Sequence, residues 1–105
     1  MAKQTAGRKQ LGEFAPQFAA LNDDVLFGEV WSKEDELSVR DRSLITIACL
    51  MTSGDSPQLK AHLRMGKEHG ITKKEVVAEI THLAFYAGWP KAWSAFALAK
   101  EVYGE

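Results

Sequence analysis

The sequence predicts an all-α fold, a compact domain of five or more helices with no sheet. Three observations carry that prediction. Apolar residues recur at helical spacing along most of the chain, as in Val76, Ile80, Leu83, Ala84 and Ala87. Helix-starting signals stand at Ser38 and Thr72, each just ahead of an apolar run. No segment alternates apolar and polar residues for long enough to make a strand. The 8 glycines and 3 prolines fall mostly between the periodic segments and act as punctuation.

The elements follow in order. Residues 1–14 of the single domain 1–105 read as a flexible leader, mildly basic from Lys3 to Lys9, because termini are loose unless tied down. A first helix spans 16–31, with an imperfect stripe of Phe18, Leu21, Val25 and Phe27. A charged connection over 32–36 leads to a second helix, capped by Ser38 and favoured by Asp41 at the positive end of its dipole. Its run from Leu44 to Met51 is apolar nearly all round, so burial on several sides is expected. Gly54 ends it.

Pro57 suits the first turn of a third helix, where its missing amide hydrogen is not needed. Leu59, Leu63 and Gly66 form its packing stripe, and Gly70 stops it. Thr72-Lys73-Lys74-Glu75 is a capping box opening the fourth helix. That helix has a second, more aromatic face of Ala78, His82, Phe85 and Tyr86, continuing to Trp89. Pro90 opens a fifth, whose Ala92, Trp93, Ala95, Phe96, Ala97 and Ala99 cover most of its circumference. This is more apolar surface than one small core absorbs, and it points to self-association.

Composition narrows the function. With 13 basic and 14 acidic residues the net charge is -1, which provides no field for nucleic acid or an anionic membrane. No apolar run has the length of a signal peptide or a membrane span, so a cytoplasmic location is expected. Cys49 is the single cysteine, which excludes an internal disulfide and a cysteine-rich zinc site. In Ile47-Ala48-Cys49-Leu50-Met51 it reads as a small buried hydrophobe. No HExxH pair, glycine-rich phosphate loop or GxSxG elbow occurs.

The chemical candidates are His62, His82, Arg40, Arg42, Tyr86 and Trp89. Each has an ordinary reading. A histidine beside the Leu59/Leu63 stripe serves as a hydrogen-bonded boundary residue unless its imidazole is placed to titrate usefully. His69, next to Gly70, interacts with the helix end and is assigned no function. Arg40 and Arg42 form a surface salt bridge or, with their planar forks, receive a carboxylate. Tyr86 and Trp89 are aromatic packing residues whose polar tips need partners when buried.

Together and in this order the motifs resemble the carboxymuconolactone decarboxylase family over about residues 27 to 103. The match begins with Phe27-Gly28-Glu29-Val30-Trp31 and runs through Leu37-Ser38-Val39-Arg40-Asp41-Arg42-Ser43-Leu44-Ile45-Thr46. It continues at His62-Leu63 and Gly70-Ile71-Thr72, and closes with Thr81-His82-Leu83-Ala84-Phe85-Tyr86-Ala87-Gly88-Trp89-Pro90. The resemblance implies an alkylhydroperoxidase D-like helical fold and a homo-oligomer, a trimer or a hexamer. One branch of the family is a peroxidase with a Glu, a Cys-x-x-Cys pair and a His. Counting back from His62, its cysteine positions hold Asp55 and Gln58 here, and its glutamate position holds Ser43. Neither Asp nor Gln replaces a thiolate nucleophile, so the chain resembles the thiol-free decarboxylase branch.

That branch implies decarboxylation of a small unsaturated lactone acid such as 4-carboxymuconolactone, with no metal or organic cofactor. His62 and His82 are then the catalytic candidates. Arg40 and Arg42 hold the substrate carboxylate, and Tyr86 and Trp89 line the site, with Tyr86 also a possible proton donor. The two histidines are expected to converge on one cavity. Two other readings stand beside this one: a non-catalytic oligomer that binds a small acid or serves as a scaffold, and a thiol peroxidase, which the lone cysteine disfavours.

Overall fold

The structure, a computed structural model, describes residues 1–104. Within what the sequence presents as one domain, the chain gathers into two compact units, Met1–Val39 and Arg40–Glu105. Among the described residues it is helical throughout, with no strand.

The first unit holds α1 (Ala6–Leu11) and α2 (Pro16–Ala20), and α2 runs without a break into a π-helical segment, Leu21–Val30. The helix expected over 16–31 is therefore present but wider in its second half. Its end shows the longer repeat, where the Trp31 N–H donates to the Leu26 carbonyl five residues back at 2.9 Å.

Where the sequence suggested a loose leader, α1 is tied to the π segment by a carboxylate. The Asp23 side chain is buried and accepts the N–H groups of Gly7 and Arg8 at 2.9 and 3.0 Å. These are otherwise orphan donors of the first helical turn, and a negative charge there suits the helix dipole. Burial alone would raise the Asp23 carboxyl, but hydrogen bonds from Asn22, Arg8 and Gly7 and the Arg8 charge hold it below the ordinary range. Gly7 permits this approach, since a Cβ there would lie 2.7 Å from Asp23 Oδ1 and 2.8 Å from the Ala19 carbonyl. Phe18, Leu21 and Val25, the expected stripe, are exposed, whereas Ala19, Asp23 and Trp31 are buried.

The second unit consists of α3 (Val39–Ser53) from Arg40 onward, α4 (Ser56–Glu68), α5 (Lys73–Ala87) and α6 (Trp89–Tyr103). Its core is one cluster containing Ile47 and Met51 of α3, Leu59 and Leu63 of α4, Val76, Ile80 and Ala84 of α5, and Ala92, Ala95 and Ala99 of α6. The alanine face of α6 lets that helix pack closely on both α4 and α5. Gly66 does the same for α3 and α4, where an added Cβ would meet Ile71 Cδ1 at 3.0 Å and Ile47 Cδ1 at 3.1 Å.

Local signals account for the boundaries. Asp55 caps α4 by accepting the Gln58 N–H at 3.4 Å. Thr72 and Glu75 form the expected capping box at α5. Gly88, at φ +112°, makes the joint between α5 and α6 in a conformation that side-chain-bearing residues rarely adopt.

One expectation fails in α3. Only the line Ser43, Ile47 and Met51 is buried, while Ile45 and Cys49 are exposed. Cys49 is thus a surface thiol and not a core hydrophobe. An all-round apolar sequence shows that a helix can be buried on any side, and only the neighbouring helices decide which side is covered.

Candidate functional site

Five of the six residues singled out by the sequence fall into two regions of the second unit, and Arg42 stands apart from both on α3. The first is the flank of α4 beside its core stripe. His62 is one residue ahead of buried Leu63, so it lies beside the stripe and is half-buried. His69, seven positions on, lies on the same flank just past the end of α4. Its Nδ1 shares a 2.8 Å hydrogen bond with Oγ of Ser43, a fully buried side chain on α3. Burial, and then the charge of nearby His69, push the His62 imidazole below its ordinary value. His62 is therefore a neutral imidazole at pH 7, able to donate or accept a hydrogen bond but poor as a cation.

The second region is the outer face of α5. Val76, Ile80 and Ala84 point to the core at spacing four, which turns His82 to the opposite side. His82 is exposed and stacks against Tyr86 one turn on, with ring centroids 5.0 Å apart. Tyr86 is 79% exposed. Trp89 is also exposed and meets Phe85 edge-on at 6.1 Å.

Arg40 joins the beginning of that face. It binds the Glu75 carboxylate and lies 3.8 Å from Asp41. Glu75 thereby closes its capping box with one oxygen and holds the arginine with the other. Hydrogen bonding from Thr72 and then from Arg40 keeps the Glu75 carboxyl low. Arg42 is half-buried on α3, and its carbonyl accepts the Thr46 hydroxyl at 2.8 Å.

The structure brings His62 near His69, which is itself bonded to Ser43, and His82 beside Tyr86. None of three cavities in the described residues is lined by both regions. The cavities of about 210, 160 and 320 Å³ are lined by other residues, except that Trp89 borders the third.

Three polar residues near these regions were not singled out from sequence. Ser43 and His69 are 26 residues apart, and only the seven-residue spacing from His62 to His69 hinted that they shared a flank. The third is Glu79, four residues after Glu75 and three before His82. It is half-buried, its Oε1 is closed off from solvent without a hydrogen bond, and burial pushes its carboxyl up to about 7. Tyr103, whose hydroxyl donates to the Ile71 carbonyl at 2.9 Å, senses the charges of Glu79 and Glu75.

The Asp55 and Gln58 positions also acquire a plain structural role. They form the N-terminal cap of α4, with acceptor and donor supplied by the two residues that stand where the peroxidase branch has thiols.

The sequence profile of the carboxymuconolactone decarboxylase family matches residues 16–101, most of the chain. The chain belongs to this family. A protein of Acinetobacter baylyi named 4-carboxymuconolactone decarboxylase is 37% identical over 95 residues, covering 90% of this chain and 70% of that protein. Peroxisomal protein 2 of Schizosaccharomyces pombe is 36% identical over 55 residues, covering 52% of this chain and 26% of that much longer protein. The family match spans the π segment and α3 to α5 and ends within the last turn of α6, so His62, His82, Arg40, Arg42, Tyr86 and Trp89 all lie within it. No helix is long and apolar enough to cross a membrane among the described residues.

Proposed function

We propose that this member of the family is a carboxy-lyase acting on a small unsaturated lactone acid of the 4-carboxymuconolactone type. The observation that carries the reading is the 37% identity to the Acinetobacter decarboxylase along 90% of the chain. The Asp55–Gln58 cap supports it, because the positions a thiol peroxidase needs for chemistry are used here to start a helix.

The reaction breaks the bond between the carboxylate carbon and the ring. The electron pair moves into the conjugated lactone, carbon dioxide leaves, and a proton is added to the resulting dienolate. The site must hold the carboxylate, stabilise charge on the lactone oxygen and deliver the proton. Arg42 and Arg40 hold the carboxylate, Arg40 by exchanging Glu75 for the substrate. Neutral His62 suits the second task, donating a hydrogen bond where negative charge grows. His82 and the adjacent Tyr86 supply the proton, and Trp89 covers the ring. Because His82 and Tyr86 face outward, the site closes by apposition of a second copy in a homo-oligomer, a trimer or a hexamer.

The test is release of carbon dioxide from 4-carboxymuconolactone and related lactone acids. Activity of the wild type on at least one of them is expected. Inactivity of a folded, assembled protein on the whole panel would remove the proposal.

A further inference from the structure

One strip of α5 carries four polar side chains in a row, Glu75, Glu79, His82 and Tyr86. Successive steps of four, three and four residues keep all of them on the same side of an α-helix. Glu75 anchors one end by binding Arg40, and His82 stacks on Tyr86 at the other. Glu75 and His82 are about 10 Å apart along the helix axis. A small acid that is held at Arg40 and protonated near His82 therefore lies over Glu79. The Glu79 Oε1 is closed off from solvent without a hydrogen bond. A buried polar atom in that state costs stability and calls for a partner that the folded chain does not supply.

We propose that Glu79 binds the substrate of the reaction: protonated, it donates a hydrogen bond to the lactone group, and ionised, it turns the anionic acid away. The ligand class rests on the decarboxylase reading, while the placement rests on the strip and the unsatisfied oxygen. A protonated carboxyl has an O–H to give, whereas a carboxylate only accepts and repels a second anion. Burial pushes the Glu79 carboxyl up to about 7, which brings both forms within the ordinary pH range. Affinity is then present at lower pH and lost as pH rises through that value. The proton stays on Glu79, and the one added to carbon comes from His82 and Tyr86. Other groups near this side also titrate or carry charge. They are Glu75 and His82 on α5, Arg40 on α3, His62 and His69 on α4, and Tyr103 on α6, whose hydroxyl is raised by burial and by the charges of Glu79 and Glu75. Glu79→Gln separates Glu79 from them, because the amide keeps a donor and cannot ionise.

The experiment uses the full chain and an unreactive probe, the saturated lactone acid 5-oxotetrahydrofuran-2-carboxylate, with calorimetry near pH 6 and near pH 8.5. The wild type should bind about 10-fold more weakly at the higher pH and should take up protons on binding there. Glu79→Gln should stay within about 3-fold of the wild type near pH 6 and lose most of the pH dependence. Glu79→Leu, without a donor, should bind about 10-fold more weakly than the wild type near pH 6. Circular dichroism confirms that both variants are folded. Equal pH dependence in the wild type and Glu79→Gln would overturn the proposal. So would unchanged affinity in Glu79→Leu, or no binding by the wild type near pH 6. Carbon dioxide release from reactive lactone acids separates the two readings. Release without the pH effect on binding removes the role of Glu79 alone, and the pH effect without release removes the decarboxylase reading alone.

Discussion

The inner flank of α4 and the outer face of α5 each carry a histidine and differ in almost everything else. His62 is half-buried beside Leu63, with its basicity reduced by burial and by His69. His82 is exposed and leans on Tyr86, itself open to solvent. The same side chain thus occurs in two electrostatic settings one helix apart. The difference teaches that the helical phase relative to the core stripe determines what an imidazole can do here. In α4 the phase places it at the edge of the core, where protonation is disfavoured. In α5 it points away from the core, into solvent. The sharpest way to break this comparison is to remove each ring in turn. His62→Ala should lower carbon dioxide release by about 10²–10⁴, the usual cost of a positioned acid–base or hydrogen-bonding group. His82→Ala should cost less in the same assay, because the adjacent Tyr86 can deliver the proton in its place. Reversal of that order, with both variants helical by circular dichroism, would show that proton delivery from His82 outweighs hydrogen bonding by His62.

The two faces should differ in stability as well. Leu63→Ala removes a fully buried side chain from the middle of the core and should cost about 2–5 kcal/mol. Tyr86→Ala removes one that is exposed in the single protomer, and for the dissociated protomer the change should stay within about 0.5 kcal/mol. Denaturant unfolding of the two variants beside the wild type checks both. A larger loss from Tyr86→Ala in the assembled protein than in the dissociated protomer is expected where a second copy covers the outer face.

Glu79 lies between the two regimes and makes the comparison depend on pH. Its folded carboxyl sits at about 7, while the unfolded group titrates near its ordinary value of about 4.3. Between those values the folded state retains a proton that the unfolded state has lost. Glu79 therefore lowers stability as pH rises through that window, and the loss persists above it. Solvent screening of a half-exposed group keeps the effect well below the full shift, on the order of 1–2 kcal/mol. Glu79→Gln should match the wild type near pH 4 and exceed it at pH 8. Equal stability of the two proteins at both pH values would refute this account of Glu79. Asp23, Asp24 and Glu75, held low by their partners, act in the opposite direction, so only the difference between variant and wild type isolates Glu79.

Much of the second unit was legible because its helices obey simple rules. Leu59, Leu63 and Gly66 repeat at the period of the helix, and Thr72 and Glu75 have the spacing that a capping box requires. The first unit was poorly legible because it closes on a carboxylate. Apolar periodicity pointed to Phe18, Leu21 and Val25, but the buried partner of α1 is Asp23, chosen by the orphan N–H groups of Gly7 and Arg8. The candidate site was half legible. His62 and His82 could be marked as histidines among apolar runs, but Ser43 becomes the partner of His69 only when α3 and α4 pack closely at Gly66. No local pattern encodes that pairing.

Cys49 supplies the smallest expected effect. In the sequence it resembled a core residue, and a buried thiol replaced by alanine would leave a cavity and a measurable loss. The structure turns it outward on α3, away from the line of Ser43, Ile47 and Met51. Replacement by alanine then removes little packing and slightly raises helix propensity. Cys49→Ala should shift stability by no more than about 0.5 kcal/mol. It should also leave carbon dioxide release unchanged, since the chain has no second cysteine with which to form a redox pair. Labelling with a thiol reagent adds an independent check: the native protein should react at close to the rate of the unfolded chain, because the sulfur is open to solvent. Slow labelling of the native protein that becomes fast on dilution to monomers would place Cys49 under a neighbouring copy, and the outward apolar face of α3 would then belong to an interface together with Ile45.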